Sequence, residues 1–205
     1  MGALKQLLRD EHDVPLVVRA ATALLHAGCS TVVVITGAHH AQVAAAIHTE
    51  LATDVASGAI VVLENPVWHS GLSSSIRAAV EWALALGGTA KHNYVDALLI
   101  TTSDMPDVHV QHLQMLISKW RNSGARVASL YEDAGPSVRG VPAVFPRSDG
   151  SALLLITGDK GARDLLVATD TLSVPLRSGN LDIDTPADVE RWRATHHSHL
   201  TRNDQ

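Results

Sequence analysis

The fold can be read from Val32–Leu63, VVVITGAHHAQVAAAIHTELATDVASGAIVVL. This stretch opens with a continuous apolar run, Val32–Ile35, and closes with another, Ile60–Leu63. Between them, Ala38–Leu51 carries small or apolar residues three and four positions apart, which predicts a helix. Uninterrupted apolar strands are typical of a sheet that is covered on both faces. The three segments therefore predict a right-handed crossover between parallel strands.

The same alternation of strands and helices continues on both sides of this unit. Further helices are predicted at Pro15–Ala27, Ser73–Leu86 and Val108–Asn122, and further strands at Ala97–Ile100 and Val127–Leu130. Glycines and prolines between residues 135 and 150 predict turns and short strands. A short helix near Ala162–Ala168 and a last helix from Pro186 follow. We expect an α/β fold with a mostly parallel sheet and helices on both faces, as one domain over residues 1–205 with a polar tail from about residue 196.

Composition limits the class of partner. The chain of 205 residues carries a formal net charge of −5, which argues against a nucleic-acid backbone as the main partner. No apolar stretch approaches the roughly 20 residues that span a bilayer. Cys29 is the only cysteine, so no disulfide can form within the chain, which suits a reducing compartment. We expect a soluble cytoplasmic protein that binds neither nucleic acid nor membrane.

A carboxylate, Asp104, follows the predicted strand that ends at Ile100. Ligands of open parallel sheets bind beyond the carboxyl ends of the strands, and a carboxylate there can bind Mg²⁺. An aspartate before Pro106 can equally cap a helix. The segment alone leaves both interpretations open.

A second acidic segment precedes the last predicted helix. Thr185, Pro186 and Asp188 are explained as a helix start. Asp182 and Asp184 are not, because residues two apart on a strand share a face and their carboxylates would repel without a cation or donors. This pair makes a metal role plausible.

Three serines, Ser73–Ser75, open a predicted helix after the loop that contains Gly71. One serine is expected to cap the helix, and three exceed that need. Free amides at a helix start attract anions, and hydroxyls add donors for a nucleotide. Gly158–Arg163 is a turn with two cations that either orders an acidic substrate or is a solvated cluster. His109 and His112, three residues apart, are expected to be surface or capping residues.

Five segments, taken in order, resemble the molybdenum cofactor cytidylyltransferase family within the molybdopterin nucleotidyltransferases. They are Asn65–Ser75, Asp104–Pro106, Gly140–Pro142 with Phe145, Gly158–Arg163, and Asp182–Pro186 with Asp188. Their combination is specific, and it covers nearly the whole chain. The resemblance implies a Rossmann-like three-layer nucleotidyltransferase fold. It also implies an enzyme that joins the nucleotidyl group of CTP, or GTP, to the phosphate of molybdopterin and releases pyrophosphate.

The resemblance also assigns roles to individual residues. It implies that Asp104 and Asp184 hold Mg²⁺ and that Lys5 completes the catalytic set. It implies that the nucleotide is bound by Gly2, Lys5, Asn65, Gly71, Ser74 and Ser75. It implies that the acceptor side is formed by Gly140, Pro142, Asp159 and Arg163. The implied partners are a nucleoside triphosphate, a molybdopterin-type acceptor, and a molybdoenzyme or its chaperone. Two alternatives are another phosphorylated acceptor and a non-catalytic cofactor-binding maturation protein.

The resemblance breaks at the front of the chain. The family opens with a strand and a glycine-rich loop of the form Leu-Ala-Ala-Gly-x-Ser-x-Arg-Met-Gly-x-x-Lys, and this chain matches only its tail, with Lys5 at the phosphate-binding lysine. The absent first strand would be a central one, so its loss should leave unpaired edges and exposed apolar surface. Either the true start lies about 15–20 residues upstream, by ordinary element lengths, or the chain lacks its phosphate loop, and we expect the former.

Overall fold

Strands and helices alternate along the computed structural model, which describes residues 4–86, 94–131, 136–159, 161–176, 183 and 188–192. The strands are β1 (Val32–Thr36), β2 (Ile60–Glu64), β3 (Ala97–Ile100), β4 (Val127–Tyr131), β5 (Val138–Pro146) and β6 (Leu172–Leu176). The helices are α1 (Leu16–His26), α2 (His40–Glu50), α3 (Ala52–Ala56), α4 (Leu72–Ala85), α5 (Val110–Ser123), α6 (Gly150–Leu154) and α7 (Arg163–Leu166). Short 3₁₀ turns lie at Lys5–Leu7, Trp68–Ser70 and Arg147–Asp149, and residues 188–192 are helical.

The strands form two separate sheets within these ranges. β1 and β2 pair in parallel, with Val32 opposite Ile60 and Thr36 opposite Glu64. The other four strands form a sheet in the order β3-β5-β4-β6, in which β4 and β6 are parallel and β5 is antiparallel to both of its neighbours. The α/β class predicted from the sequence is confirmed, with a parallel two-stranded sheet and a mixed four-stranded sheet.

The nine-residue strand β5 occupies the region where turns and short strands were expected. Its register against β4 shifts, since Ala128 pairs with Ala143 whereas Ser129 pairs with Gly140. Val141 and Pro142 therefore lie in a β-bulge, where a proline without an N–H is tolerated. The sequence prediction was wrong here because glycine and proline indicate turns locally, whereas a bulge depends on the partner strand.

Helices α1 and α4 connect the two sheets through side-chain packing. On α1, Val17 and Ala21 pack with the buried residues of β1, β2 and α2. On α4, Ile76 and Val80 pack against the larger sheet around the fully buried Phe145. No helix within the described ranges is long and apolar enough to cross a bilayer.

His112 is buried beneath the larger sheet, contrary to the expected surface or capping role, whereas the exposed His109 precedes α5 as its N-cap. The Ser129 hydroxyl donates to the carbonyl of Pro142 at 2.6 Å. Since a serine has one hydroxyl proton, His112 Nε2, 2.7 Å from Ser129 Oγ, must be the donor in that second bond. Burial lowers the pKa of His112 below its usual 6.5.

This burial predicts a pH-dependent free energy of unfolding. Below pH 6.5 the unfolded chain binds a proton at His112 that the folded chain does not, so the stability falls as the pH falls through this window toward the folded-state pKa. We expect His112→Gln to flatten the pH dependence of the urea midpoint below pH 6.5. His109→Gln is the control, and an equal flattening in both variants would contradict the assignment.

Candidate active site

A cleft of about 990 Å³ lies at the carboxyl ends of β1 and β3 and continues inward between them. Four residues proposed from the sequence line it, each from a different element: Ser75 of α4, Asp104 of the loop after β3, Gly140 of β5 and Arg163 of α7. Tertiary folding thus brings together groups that are up to 88 residues apart in the chain. They contribute one carboxylate, one guanidinium and one serine hydroxyl to a concave site that Arg139 and Ser103 also line.

The Asp104 carboxylate is half-buried and has no hydrogen-bond or ion-pair partner among the described residues. Helix α5 begins at Val110 with His109 as its N-cap, so Asp104 does not cap that helix. The Asp104 backbone carbonyl accepts a hydrogen bond from the amide of the fully buried Ile183 at 3.0 Å. A half-buried carboxylate that lines a cleft and has no partner in the described part of the chain is suited to a cationic ligand.

The three serines at the start of α4 have different surroundings. Ser74 is buried, and its hydroxyl donates to the Gly71 carbonyl at 2.8 Å and accepts from Asn65 Nδ2 at 2.8 Å. Asn65 is also buried, and its amide donates to Ser75 Oγ at 3.1 Å. Asn65 and Ser74 therefore tie the end of β2 to α4 and do not line the cleft, whereas Ser75 does.

The expected serine cap of α4 is absent from this helix. Its N-cap is Gly71, with no side-chain capping bond, and the Ser73 amide donates to the Gly158 carbonyl at 3.1 Å. A β-carbon at Gly71 would lie 2.6 Å from Asp159 Oδ1 and 2.7 Å from the Gly158 oxygen. The turn at 158–159 thus occupies the helix start, where the sequence predicted an anion. Asp159 is exposed and does not line the cleft.

Close packing shapes the part of the cleft wall that contains Gly140 of β5. A β-carbon at Gly140 would lie 2.9 Å from Tyr131 Cε2, so only glycine lets this aromatic ring approach β5. The Tyr131 hydroxyl in turn donates to the Val141 carbonyl. Pro142 is buried away from the cleft, and its role in the structure is to accept the Ser129 hydrogen bond.

Lys5 lies in the 3₁₀ turn at the start of the described chain, and its neighbour Gln6 is the residue of that turn that lines the cleft. Gly2 and Asp184 lie outside the described residues. In the described ranges, no group of three or more His, Cys, Asp or Glu side chains is placed to hold a metal ion. Of the two proposed metal ligands, Asp104 and Asp184, the structure gives the position of Asp104.

Sequence reasoning missed the cluster that follows β1. Thr36 is buried, donates to the Leu63 carbonyl at 3.2 Å and bonds His40 Nδ1 at 2.7 Å. Gly37 lies against Trp68, whose β-carbon would be 2.8 Å from a β-carbon at that position. Thr36, Gly37 and Trp68 all line the cleft. The signal was available for Thr36 and Gly37, because they lie at the end of an apolar strand, where ligands bind in open α/β sheets.

A cleft at the strand ends is where ligands bind in α/β folds of this kind. Residues 1–172 match the MobA-like NTP transferase domain, so the chain belongs to this family of nucleotidyltransferases. Comparison with the curated proteins gives no match.

Solved structures with low sequence identity share the fold. Rv0371c from Mycobacterium tuberculosis H37Rv is 22% identical, with a TM-score of 0.69 over 95% of this chain and 91% of that chain. Its manganese complex gives a TM-score of 0.67 at 22% identity, over 94% of this chain and 93% of that chain. A nucleotidyl transferase from Methanothermobacter, Mth528, is 20% identical, with a TM-score of 0.67 over 98% of this chain and 86% of that chain.

Proposed function

We propose that this nucleotidyltransferase joins the cytidylyl group of CTP, or the guanylyl group of GTP, to the terminal phosphate of molybdopterin and releases pyrophosphate in the cytoplasm. The observation that carries the proposal is the Asp104 carboxylate, which faces the cleft without a partner among the described residues. The ordered motifs from Asn65 to Asp188 support the choice of acceptor.

The proposed reaction is an in-line displacement at the α-phosphorus. An oxygen of the acceptor phosphate forms a bond to this phosphorus, the bond to the bridging oxygen of the β-phosphate breaks, and pyrophosphate leaves with the electron pair. Such chemistry needs positioning and charge compensation more than covalent work by the protein. In the proposal, Ser75 binds the nucleotide, and Arg163 and Gly140 line the part of the cleft that receives the acceptor.

A magnesium ion fits this donor set. Mg²⁺ is commonly held by one or two carboxylates, with phosphate oxygens and waters as its other ligands. Asp104 supplies one carboxylate at the cleft, and Asp184 directly follows Ile183, whose amide is bonded to the Asp104 carbonyl. We assign Asp104 and Asp184 as the metal-binding pair. When bound, Mg²⁺ would offset the negative charge of the phosphates.

The front of the chain belongs to the same proposal. Lys5 would add positive charge beside the triphosphate, and Gly2 would belong to the loop around it. Since Gln6 rather than Lys5 lines the cleft, we propose that upstream residues of the natural protein complete this loop. Extending the reading frame upstream and assaying the longer chain tests this part. Equal turnover of the two chains would contradict it.

Pyrophosphate release tests the proposed activity. The protein is incubated with Mg²⁺, molybdopterin and each of the four nucleoside triphosphates in turn. We expect release with CTP or GTP that depends on molybdopterin. A parallel assay replaces molybdopterin with a sugar phosphate, and pyrophosphate release only in that assay would identify another acceptor. Tight molybdopterin binding without release from any triphosphate would identify a non-catalytic maturation protein.

Alanine variants of the adjacent residues Ser74 and Ser75 distinguish an effect on nucleotide binding from an effect on stability. Ser75→Ala removes a hydroxyl at the cleft, so we expect the KM for the nucleotide to rise by about tenfold. The loss of stability should be smaller than in Ser74→Ala, because Ser75 is only half-buried and accepts the longer of the two Asn65 hydrogen bonds. Ser74→Ala leaves a buried Asn65 donor unsatisfied and should reduce the free energy of unfolding by about 1–3 kcal/mol. Urea unfolding and initial rates on both variants check this. An unchanged KM in Ser75→Ala would contradict the nucleotide role.

A further inference from the structure

Two arginines, Arg139 of β5 and Arg163 of α7, line the same cleft. Asp104 is the third formally charged side chain among the described residues of the cleft wall. The wall therefore carries more positive than negative charge, although the whole chain has a formal net charge of −5. A local excess of guanidinium groups in an acidic protein indicates a ligand with negative charge.

Two hydrogen bonds fix the Arg139 guanidinium beside β6. Its Nε donates to Ser173 Oγ at 3.0 Å, and its Nη1 donates to the Ala168 carbonyl at 3.1 Å. Because β4 lies between β5 and β6, the Arg139 side chain reaches across one strand to make the contact with Ser173. The side chain is thus ordered before a ligand arrives, which reduces the entropy that binding would cost.

The Arg139 guanidinium retains donors for a ligand. A guanidinium has five N–H donors, and the contacts with Ser173 and Ala168 use two of them. The other Nη1 and Nη2 protons have no acceptor among the described residues, and no described carboxylate forms an ion pair with Arg139. A half-buried cation that offers donors in a fixed planar arrangement matches the oxygen atoms of a phosphate group.

Arg126 shows the contrasting structural role on the same side of the larger sheet. It donates to the Leu165 carbonyl of α7 at 2.6 Å, and its guanidinium also contacts the two carboxylate oxygens of Asp149 at 2.8 and 2.9 Å. Asp149 thus offsets the charge of Arg126, which does not line the cleft. Arg139 has a similar contact with the backbone after α7 but no such carboxylate among the described residues, so its charge is available to a ligand.

Arg163 supplies the second cation. The short helix α7 is anchored in the core by the buried Ala162 and Leu166, whereas Arg163 is exposed and lines the cleft. In the described part of the chain, Arg163 has no hydrogen-bond or ion-pair partner. Since Arg139 is bonded to Ala168, two residues after α7 ends, one short segment carries Arg163 and also holds Arg139. This segment brings both arginines to one region of the cleft.

We propose that Arg139 and Arg163 together bind the phosphate group of the acceptor and select phosphorylated acceptors over neutral ones. The inference rests on the proposed function for the role of this ligand as the acceptor. It places Arg139 beside Gly140, in the part of the cleft wall assigned to the acceptor, and away from Ser75 of α4.

The arginine pair, Arg139 and Arg163, has a physical role in the proposed transfer. The attacking oxygen and the α-phosphorus both belong to negatively charged groups, and they must approach to about 3–3.5 Å before the bond forms. Two guanidinium groups offset this repulsion on the acceptor side. They hold oxygens of the acceptor phosphate that do not attack, so that another oxygen of the same phosphate is directed at the α-phosphorus.

Binding of inorganic phosphate tests the arginine pair without any turnover. Phosphorus NMR titration measures the affinity of the full chain for inorganic phosphate, with and without saturating CTP or GTP. We expect Arg139→Gln and Arg163→Gln each to weaken phosphate binding by at least about tenfold, because each removes charge-assisted hydrogen bonds. The nucleotide should not displace the phosphate, since the two bind to different parts of the cleft. The thermal midpoint of each variant checks its folding.

Two controls separate direct binding from structure. Arg147→Gln is the matched control, because Arg147 is also half-buried, donates to the Val95 carbonyl at 3.3 Å and does not line the cleft. Ser173→Ala removes one contact of Arg139 but keeps its guanidinium, so it should weaken phosphate binding less than Arg139→Gln does. Equal phosphate affinity in Arg139→Gln and Arg147→Gln would overturn the proposal. So would equal losses in Ser173→Ala and Arg139→Gln, or displacement of the phosphate by the nucleotide.

Steady-state kinetics connects the arginine pair with the reaction. With molybdopterin as the acceptor, we expect Arg139→Gln to raise the acceptor KM by about 10- to 100-fold and the nucleotide KM by less than about twofold. Arg139→Lys should restore only part of the loss, because an ammonium group lacks the planar set of donors. An unchanged acceptor KM in Arg139→Gln would overturn the role of the pair and retain the proposed activity. Arginine-dependent phosphate binding without transfer to molybdopterin would support the pair and contradict the proposed acceptor.

Discussion

Asp104→Asn should reduce pyrophosphate release by at least about 10²- to 10³-fold, the effect of removing one preorganised electrostatic contact from a phosphate-transfer site. The substitution keeps the size of the side chain and removes its charge. Because the Asp104 carboxylate has no partner among the described residues, its loss breaks no described side-chain bond and should leave the free energy of unfolding nearly unchanged. We therefore expect the Asp104→Asn protein to lose activity without losing stability.

The affinity for Mn²⁺ is measured alongside the rate of pyrophosphate release. Electron paramagnetic resonance follows Mn²⁺ binding in the presence of the nucleotide, and we expect the Asp104→Asn protein to bind the ion more weakly. Asp164→Asn is the matched control, since Asp164 is exposed on α7 beside Arg163 and does not line the cleft. Wild-type turnover together with wild-type Mn²⁺ affinity in Asp104→Asn would exclude the metal role.

Gly71→Ala should destabilise the protein by about 3 kcal/mol or more, which combines backbone strain with a forced shift of packed atoms. Gly71 has φ 102° and ψ 170°, a region that is essentially restricted to glycine. The added β-carbon would also meet the Gly158 oxygen at 2.7 Å. Because the Ser73 amide is bonded to that same carbonyl, the start of α4 should shift away from the turn.

Gly28→Ala is a control that measures the backbone-strain part of this effect alone. Gly28 has φ 100°, close to the value at Gly71, yet a β-carbon there would meet no atom within 4 Å. We expect Gly28→Ala to cost only about 1 kcal/mol. Urea unfolding of both variants gives the difference, and equal losses would show that the contact with the 158–159 turn does not constrain Gly71.

The helices and buried strands could be predicted because their signals are local. The predicted helix at Val108–Asn122 corresponds to α5 (Val110–Ser123), and the predicted strand at Ala97–Ile100 is β3. The bulged strand β5 could not be predicted in this way, because its register depends on pairing with distant residues of β4. The hydrogen bond between Asn65 and Ser74 is likewise visible only when β2 and α4 are placed side by side.

The order of strands and helices, and the occurrence of Asp104 after a strand, follow from the sequence by itself, because periodicity and strand ends depend on neighbours a few residues away. Tertiary structure decided which candidates share one cleft. It placed Ser75, Gly140 and Arg163 around Asp104 and turned Gly71 toward the 158–159 turn. Among the described residues it left β1 paired with β2 alone and β3 paired with β5 alone, with the cleft between them. Contacts between segments far apart in the chain depend on packing, which no local pattern encodes.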